Sequence, residues 1–204
     1  MSSVTVVLAS SSPRRRELLS LIGIEHQVRP ANIDESVKGR ESPRKYAERL
    51  AREKAEAVAP DDSHVVTIAA DTIVVVDRTI LGKPCNAVDA GSMLTLLNGR
   101  RHRVITAVAV AREGQILSAV EEVDVKFRRL SEDEIDAYIA TGEPLDKAGA
   151  YGIQGYGATI VERIEGDYFA VMGLPLVKLI RLLEQIGVSY KFGELSLGAP
   201  KRVR

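Results

Sequence analysis

A short apolar strand, Val4 to Ala9, runs directly into Ser10-Ser11-Ser12-Pro13-Arg14-Arg15-Arg16-Glu17-Leu18-Leu19. A strand that turns straight into a helix begins an α/β layer. Ser12 is a natural N-cap, and Pro13 suits the first helical position. The residues that follow break the usual rule. Three arginines fill the first turn, where the helix dipole is already positive and Asp or Glu is favoured. Free backbone N–H groups point the same way. Hydroxyls, amides and forked guanidiniums converging at a helix start form a phosphate receptor. The alternative is a solvated cap whose arginines reach into water. The segment alone leaves both open.

Helix signals recur along the chain. Pro13 to Ile22 places Leu18, Leu19 and Ile22 on one side, with Gly23 as its stop. Ser42-Pro43 opens a second helix through Tyr46, Leu50, Ala51, Lys54 and Ala55. Ala87 to Leu97 is a third, closed by Asn98-Gly99. Ser131 to Glu134 is a capping box before Ile135 to Ala140, and Leu174-Pro175 starts a last helix ending near Ile186-Gly187. Between them lie strands: His64 to Ala70, Thr72 to Asp77, and Ala158 to Glu165. Asp77-Arg78-Thr79 reads as a turn, and Arg103 to Arg112 pairs with Gln115 to Lys126 across Glu113-Gly114 as a hairpin. Hairpins among strand–helix units predict a mixed sheet. No repeat or linker divides the chain. We therefore expect one domain over residues 1–190 and a solvated tail over 191–204, ending in Lys201-Arg202-Val203-Arg204.

Several residues could carry chemistry. Asp71 interrupts the apolar run Val65 to Val76. A carboxylate there must be paired, hydrogen-bonded or metal-bound, or else mark a strand break. Lys83 follows a glycine in Leu81-Gly82-Lys83-Pro84, which permits close approach of a ligand. Lys54 lies in Arg52-Glu53-Lys54-Ala55, where neighbouring opposite charges explain it as a solvated helix face. Glycines punctuate Lys147-Ala148-Gly149-Ala150-Tyr151-Gly152-Ile153-Gln154-Gly155-Tyr156-Gly157, so this backbone can approach a ligand, or form a surface loop. Gln154 holds both a donor and an acceptor, which could read a base edge. No Walker A loop or dinucleotide fingerprint is present.

Bulk properties exclude other classes. Lys+Arg and Asp+Glu both number 28, so nothing draws a polyanion non-specifically. With few aromatics and no tryptophan, a single-stranded nucleic-acid binder lacks stacking platforms. Cys85 is the only cysteine, so no internal disulfide forms. Val4 to Ala9 is too short for a signal core or a membrane span. His26, His64 and His102 have no ligand spacing and read as surface or packing residues.

In this order, Leu8 to Arg15, Ala70-Asp71-Thr72, Leu81 to Pro84, Thr141 to Gly155 and Gly173 to Leu176 resemble the Maf family of nucleoside triphosphate pyrophosphatases. The resemblance runs from Leu8 to about Gly187. Its long central motif resembles the dTTP/UTP-hydrolysing branch, with modified pyrimidine nucleotides as further candidate substrates. Gly166 to Met172 departs somewhat from that branch's pattern. The resemblance implies an α/β fold with a mixed sheet and flanking helices, similar to inosine triphosphate pyrophosphatases, forming two lobes around a cleft. It also implies a divalent cation (Mg²⁺ or Mn²⁺), a cytoplasmic setting and a homodimer, with no nucleic-acid or membrane partner. By resemblance, the proton-accepting carboxylate falls on Asp71, and base preference on Arg14, Thr72 and Gln154. Phosphate binding falls on Ser10, Arg15, Lys54 and Lys83. Glu35 matches a further acidic position, so Asp71 and Glu35 are the candidate metal ligands.

Two rivals stand beside this reading. One is a pyrophosphatase acting on 7-methylguanosine triphosphate. The other is a non-catalytic nucleotide-binding regulator of cell division. Asp71 argues against the regulator, because a pure phosphate binder gains nothing from a carboxylate beside an anion.

Overall fold

In the computed structural model, which describes residues 4–198, the opening apolar run forms β1 (Thr5–Leu8) and Pro13 begins α1 (Pro13–Leu21). Gly23, at φ 72°, adopts the left-handed conformation that ends this helix. The two residues of β2 (Gln27–Val28) follow. Ser42 caps α2 (Pro43–Val58), its hydroxyl accepting the Lys45 N–H at 3.3 Å. The long strand β3 (Val65–Val76) then turns through Asp77 and Arg78, at φ 47° and 70°, into β4 (Thr79–Leu81). Positive φ at both turn residues matches the natural twist of a hairpin. Thr79, expected in the turn, therefore starts the next strand.

After α3 (Ala87–Leu97), β5 (Arg101–Arg112) and β6 (Gln115–Phe127) flank the expected Glu113-Gly114 turn. The capping box opens α4 (Glu132–Ala140), with each half accepting the other's backbone N–H. Three short 3₁₀ turns follow, at Glu143–Asp146, Ala148–Ala150 and Gly155–Thr159. The last elements are β7 (Val161–Glu165), α5 (Tyr168–Met172), α6 (Leu176–Gln185), and a hairpin of β8 (Val188–Lys191) and β9 (Glu194–Leu197).

Three differences from the sequence reading have physical causes. The two strands expected on either side of Asp71 are one, because its carboxylate is paired and no break is needed. The strand expected from Ala158 starts at Val161, since a 3₁₀ turn occupies Gly155–Thr159. Residues 191–197, assigned to a tail, form the end of a hairpin in which Val188 pairs with Leu197. Lys201, Arg202 and Arg204 lie outside the described residues.

The chain divides into two compact units. Among the described residues, the first contains 4–71, Thr106–Glu121 and 173–198. Here β1 pairs in parallel with both β2 and β3, and the strand order continues through β5 to β6. Val7, Leu8, Leu18, Leu19, Leu50, Ile68, Leu179 and Leu183 are buried to 1 % exposure or less. The second unit is Thr72–Ile105 with Glu122–Met172. There β4 runs antiparallel to β3, and β7 antiparallel to β6. Leu94, Leu97, Val123, Phe127, Tyr138 and Tyr151 centre its core. Parallel and antiparallel pairings together make the expected mixed α/β architecture. No helix among the described residues is long and apolar enough to cross a membrane.

Candidate active site

The β1–α1 junction positions the first group of polar side chains. Ser12 occupies the N-cap, but its hydroxyl makes no capping bond. Instead the Ser12 N–H donates to Ser10 Oγ at 3.2 Å, correcting the expected cap. Ser10 is buried, and the same hydroxyl oxygen accepts from Arg15 Nη1 at 3.1 Å. Arg15 Nε donates to the Gly173 carbonyl oxygen at 2.9 Å. This guanidinium is therefore drawn inward, against the solvated-cap alternative, while Arg14 is half-buried and Arg16 exposed. Burial pushes the Arg15 guanidinium below its ordinary pKa; Asp71 and Glu35 oppose that shift and Arg14 adds to it. Arginine stays protonated in any case, so a fixed positive charge sits close enough to sense both carboxylates.

The second group is a carboxylate–ammonium–carboxylate bridge. Asp71, 6 % exposed, is the one charged residue of β3. The Lys54 ammonium, from the buried side of α2, reaches Asp71 Oδ1 at 2.7 Å and Glu35 Oε1 at 2.9 Å. Lys54 is thus no solvated helix charge: it is 9 % exposed and its partners lie on other segments. Each buried charge makes the other tolerable, since a lone one would be strongly destabilising.

Glu35 sits on the loop before α2, and a second network fastens that loop. The Tyr46 hydroxyl donates to the Glu35 carbonyl oxygen at 2.8 Å. Arg49 donates to both carboxylate oxygens of Glu41, at 2.6 and 3.0 Å, and to the Ser36 carbonyl at 3.0 Å. It also reaches Glu53 at 3.0 Å, and Lys38 bonds the same carboxylate at 2.9 Å. Arg49 holds the Glu41 carboxyl down at about 2. Sequence reasoning missed Tyr46, Arg49 and Glu41 as supports. Only Arg49–Glu53, at i and i+4, had a local signal.

The remaining expected residues belong to the second unit. Thr72 is half-buried and follows Asp71 on β3. Side chains of consecutive strand residues point to opposite faces. Lys83 is exposed on the segment after β4, and Gln154 is exposed at the start of the last 3₁₀ turn. Here too a supporting residue was missed. Glu143 accepts hydrogen bonds from Tyr138 Oη and from the Tyr156 and Gly157 N–H groups, at 2.8, 2.9 and 3.0 Å.

No set of three or more His, Cys, Asp and Glu is placed to hold a metal among the described residues. Asp71 and Glu35 do converge, with a cation already between them. Two carboxylates plus substrate phosphates and water are what Mg²⁺ ordinarily takes, so the donor set fits such an ion.

Comparison with known proteins adds relatives. The family model described as Maf-like protein matches residues 5–186. A protein of Bacillus thuringiensis subsp. konkukian (strain 97-27), named dTTP/UTP pyrophosphatase, is 45% identical over 183 residues, covering 90% of this chain and 96% of its own. A protein of the same name from Bacillus pumilus (strain SAFR-032) is 45% identical over 184 residues, covering 90% and 97%. Among solved structures, the Staphylococcus aureus Ham1 protein superposes with a TM-score of 0.43 at 13% identity, over 77% of this chain and 79% of that one.

Proposed function

The chain belongs to the Maf-like family, and from that premise we propose that it is a nucleoside triphosphate pyrophosphatase hydrolysing dTTP and UTP. The observation that supports it best is the buried Asp71 carboxylate, held by Lys54 and sensed by Arg15. In the reaction a water oxygen bonds to phosphorus as the α–β bridging P–O bond breaks. Pyrophosphate takes the bond's electron pair, and the nucleoside monophosphate is the other product. Asp71 accepts the water proton or serves instead as a metal ligand. Ser10, Arg15, Lys54 and Lys83 hold the phosphate chain, and their positive charge opposes the negative charge of the transition state. Lys54 must then exchange part of its bond to Asp71 or Glu35 for a phosphate oxygen. Asp71 and Glu35 would hold a Mg²⁺ or Mn²⁺ ion, which supplies Lewis-acid charge neutralisation of phosphate oxygens when bound.

Base preference is assigned to Arg14, Thr72 and Gln154. Uracil and thymine present an imide edge, two carbonyl acceptors flanking one N–H donor. The Gln154 amide offers the matching donor and acceptor, and Arg14 can add a donor. Cytosine reverses part of the pattern, leaving one polar group unpaired at a cost of roughly 1–3 kcal/mol. A cytoplasmic homodimer completes the proposal.

The test is pyrophosphate release from a panel of canonical and modified nucleotides, with and without divalent metal. We expect dTTP and UTP to be cleaved at least about tenfold better than dCTP, CTP or 7-methylguanosine triphosphate. Gln154→Ala should erode that ratio more than it weakens triphosphate binding. Equal efficiency on CTP and UTP removes the base assignment, and absence of pyrophosphate release from every nucleotide removes the enzyme.

A further inference from the structure

The backbone on either side of Gln154 is tied to two side chains. Tyr138, on α4, accepts the Gly152 N–H at 3.1 Å and donates its own hydroxyl to Glu143 Oε1 at 2.8 Å. The same Oε1 accepts the Gly157 N–H at 3.0 Å, and Oε2 accepts the Tyr156 N–H at 2.9 Å. Residues 152, 156 and 157 are thus fastened, and Gln154 is carried between them. Two glycines are required by this closeness. A Cβ at Gly155, which sits at φ 65°, would collide with Glu143 Oε2. A Cβ at Gly157 would collide with the Gly152 carbonyl oxygen and lie 2.7 Å from the Tyr138 hydroxyl. The side-chain amide of Gln154 itself is not part of this network, and the residue is exposed.

Glu143 also stays ionised. Burial disfavours its charge, but donors from Gly157, Tyr138 and Tyr156 outweigh burial and keep the carboxyl below its ordinary range. An anion with three donors aimed at it is a rigid anchor. Lys147, which bonds the Glu143 carbonyl oxygen at 2.6 Å, fixes the base of the same turn.

We propose that Glu143 is a positioning residue for nucleobase discrimination: its carboxylate, relayed in part by Tyr138, sets the backbone of residues 152–157 and so the direction in which Gln154 meets a base. The proposal rests on the assignment of base reading to Gln154. A recognition amide on a loose segment can rotate to satisfy cytosine as readily as uracil, so it discriminates little. Held by its flanking backbone, it cannot follow the wrong edge without losing bonds.

The experiment compares Glu143→Gln, Gln154→Ala and the double variant in the intact protein. Efficiencies on UTP and CTP are read by pyrophosphate release, and inorganic tripolyphosphate is used as a base-free competitive inhibitor. In Glu143→Gln an amide NH₂ can meet the Tyr156 N–H, donor against donor. We expect the UTP/CTP efficiency ratio to fall at least about fivefold while tripolyphosphate inhibition is unchanged. Amide exchange at Tyr156 and Gly157 should accelerate, and Glu143→Gln should add little once Gln154 is alanine. A preserved ratio in Glu143→Gln, with an eroded one in Gln154→Ala, overturns the positioning role. A preserved ratio in Gln154→Ala overturns the base-reading premise instead. Should Glu143→Gln fail to fold, Tyr138→Phe removes one donor and the Gly152 contact while keeping the ring. It must then lower the ratio in the same direction, and an unchanged ratio with normal folding counts against the proposal.

Discussion

Asp71 keeps a charge inside β3 because Lys54 keeps the opposite one 2.7 Å away. Asp71→Asn retains shape and removes the negative charge and the basicity. Turnover should fall by at least about 10²-fold, the lower bound for general-base catalysis, while triphosphate binding survives because carboxylate–phosphate repulsion is relieved. Near-normal pyrophosphate release by the Asn variant removes both the base and the metal-ligand role. The pairing makes a second expectation. Lys54→Met leaves Asp71 buried without its ion-paired ammonium and should cost about 3 kcal/mol in urea unfolding. Adding Asp71→Asn should recover part of that loss, and simple additivity of the two changes contradicts the pairing. Asp71 was visible in the sequence because a carboxylate inside an apolar run violates its surroundings. Lys54 was not, since its partner lies 17 residues away on another element and its chain neighbours supply an ordinary explanation. Only family resemblance singled it out.

Elements were legible where their signals are local. Pro13, Ser42-Pro43 and the Ser131–Glu134 box start α1, α2 and α4 as read, because caps and Pro act within one turn. In α4, Ser131 Oγ accepts the Glu134 N–H at 3.2 Å and Glu134 Oε2 accepts the Ser131 N–H at 2.9 Å. Ser131→Ala should therefore cost about 1 kcal/mol, lowering Tm by roughly 2–4 °C in a chain of this size. Calorimetry checks it, and an unchanged Tm means the cap contributes nothing. Elements held by distant partners were not legible. The 3₁₀ turns around Glu143 depend on Tyr138 and on backbone donors up to 14 residues away. The β8–β9 hairpin turns through Phe192, at φ 44° and 99 % exposed, a residue no turn rule selects. Its anchor, the Tyr190 hydroxyl on the Ile22 carbonyl oxygen, spans 168 residues.

Across the whole molecule, stability should follow pH in two windows. His102 is 3 % exposed, its Nε2 lies 2.8 Å from the Tyr151 hydroxyl, and burial lowers its pKa from 6.5 to about 4. Above 6.5 the imidazole is neutral whether the chain is folded or not, and no stability is lost. Between 6.5 and about 4 only the unfolded chain binds the proton, so stability declines as pH falls. The loss totals about 3 kcal/mol. His102→Gln should flatten that window in urea titrations. Glu41, held at about 2 by Arg49 against an ordinary 4.5, takes over in more acid solution: its stabilisation is present above 4.5 and disappears as pH falls towards 2. A curve that declines just as steeply in His102→Gln assigns the first window to another group.

The bond from Arg15 to the Gly173 carbonyl oxygen joins positions 158 residues apart. A contact of that separation closes a very long loop and carries the full entropic cost of doing so, which places it late in folding. On a ribosome the arginine waits until 158 further residues have been added before its carbonyl partner exists. A polypeptide released short of Gly173 keeps the serine-rich turn, its basic cluster and the Ser10 partner of Arg15, yet lacks the carbonyl oxygen that accepts from Arg15 Nε. Among fragments and longer chains, the Arg15–Gly173 tie therefore exists only in those that have reached Gly173.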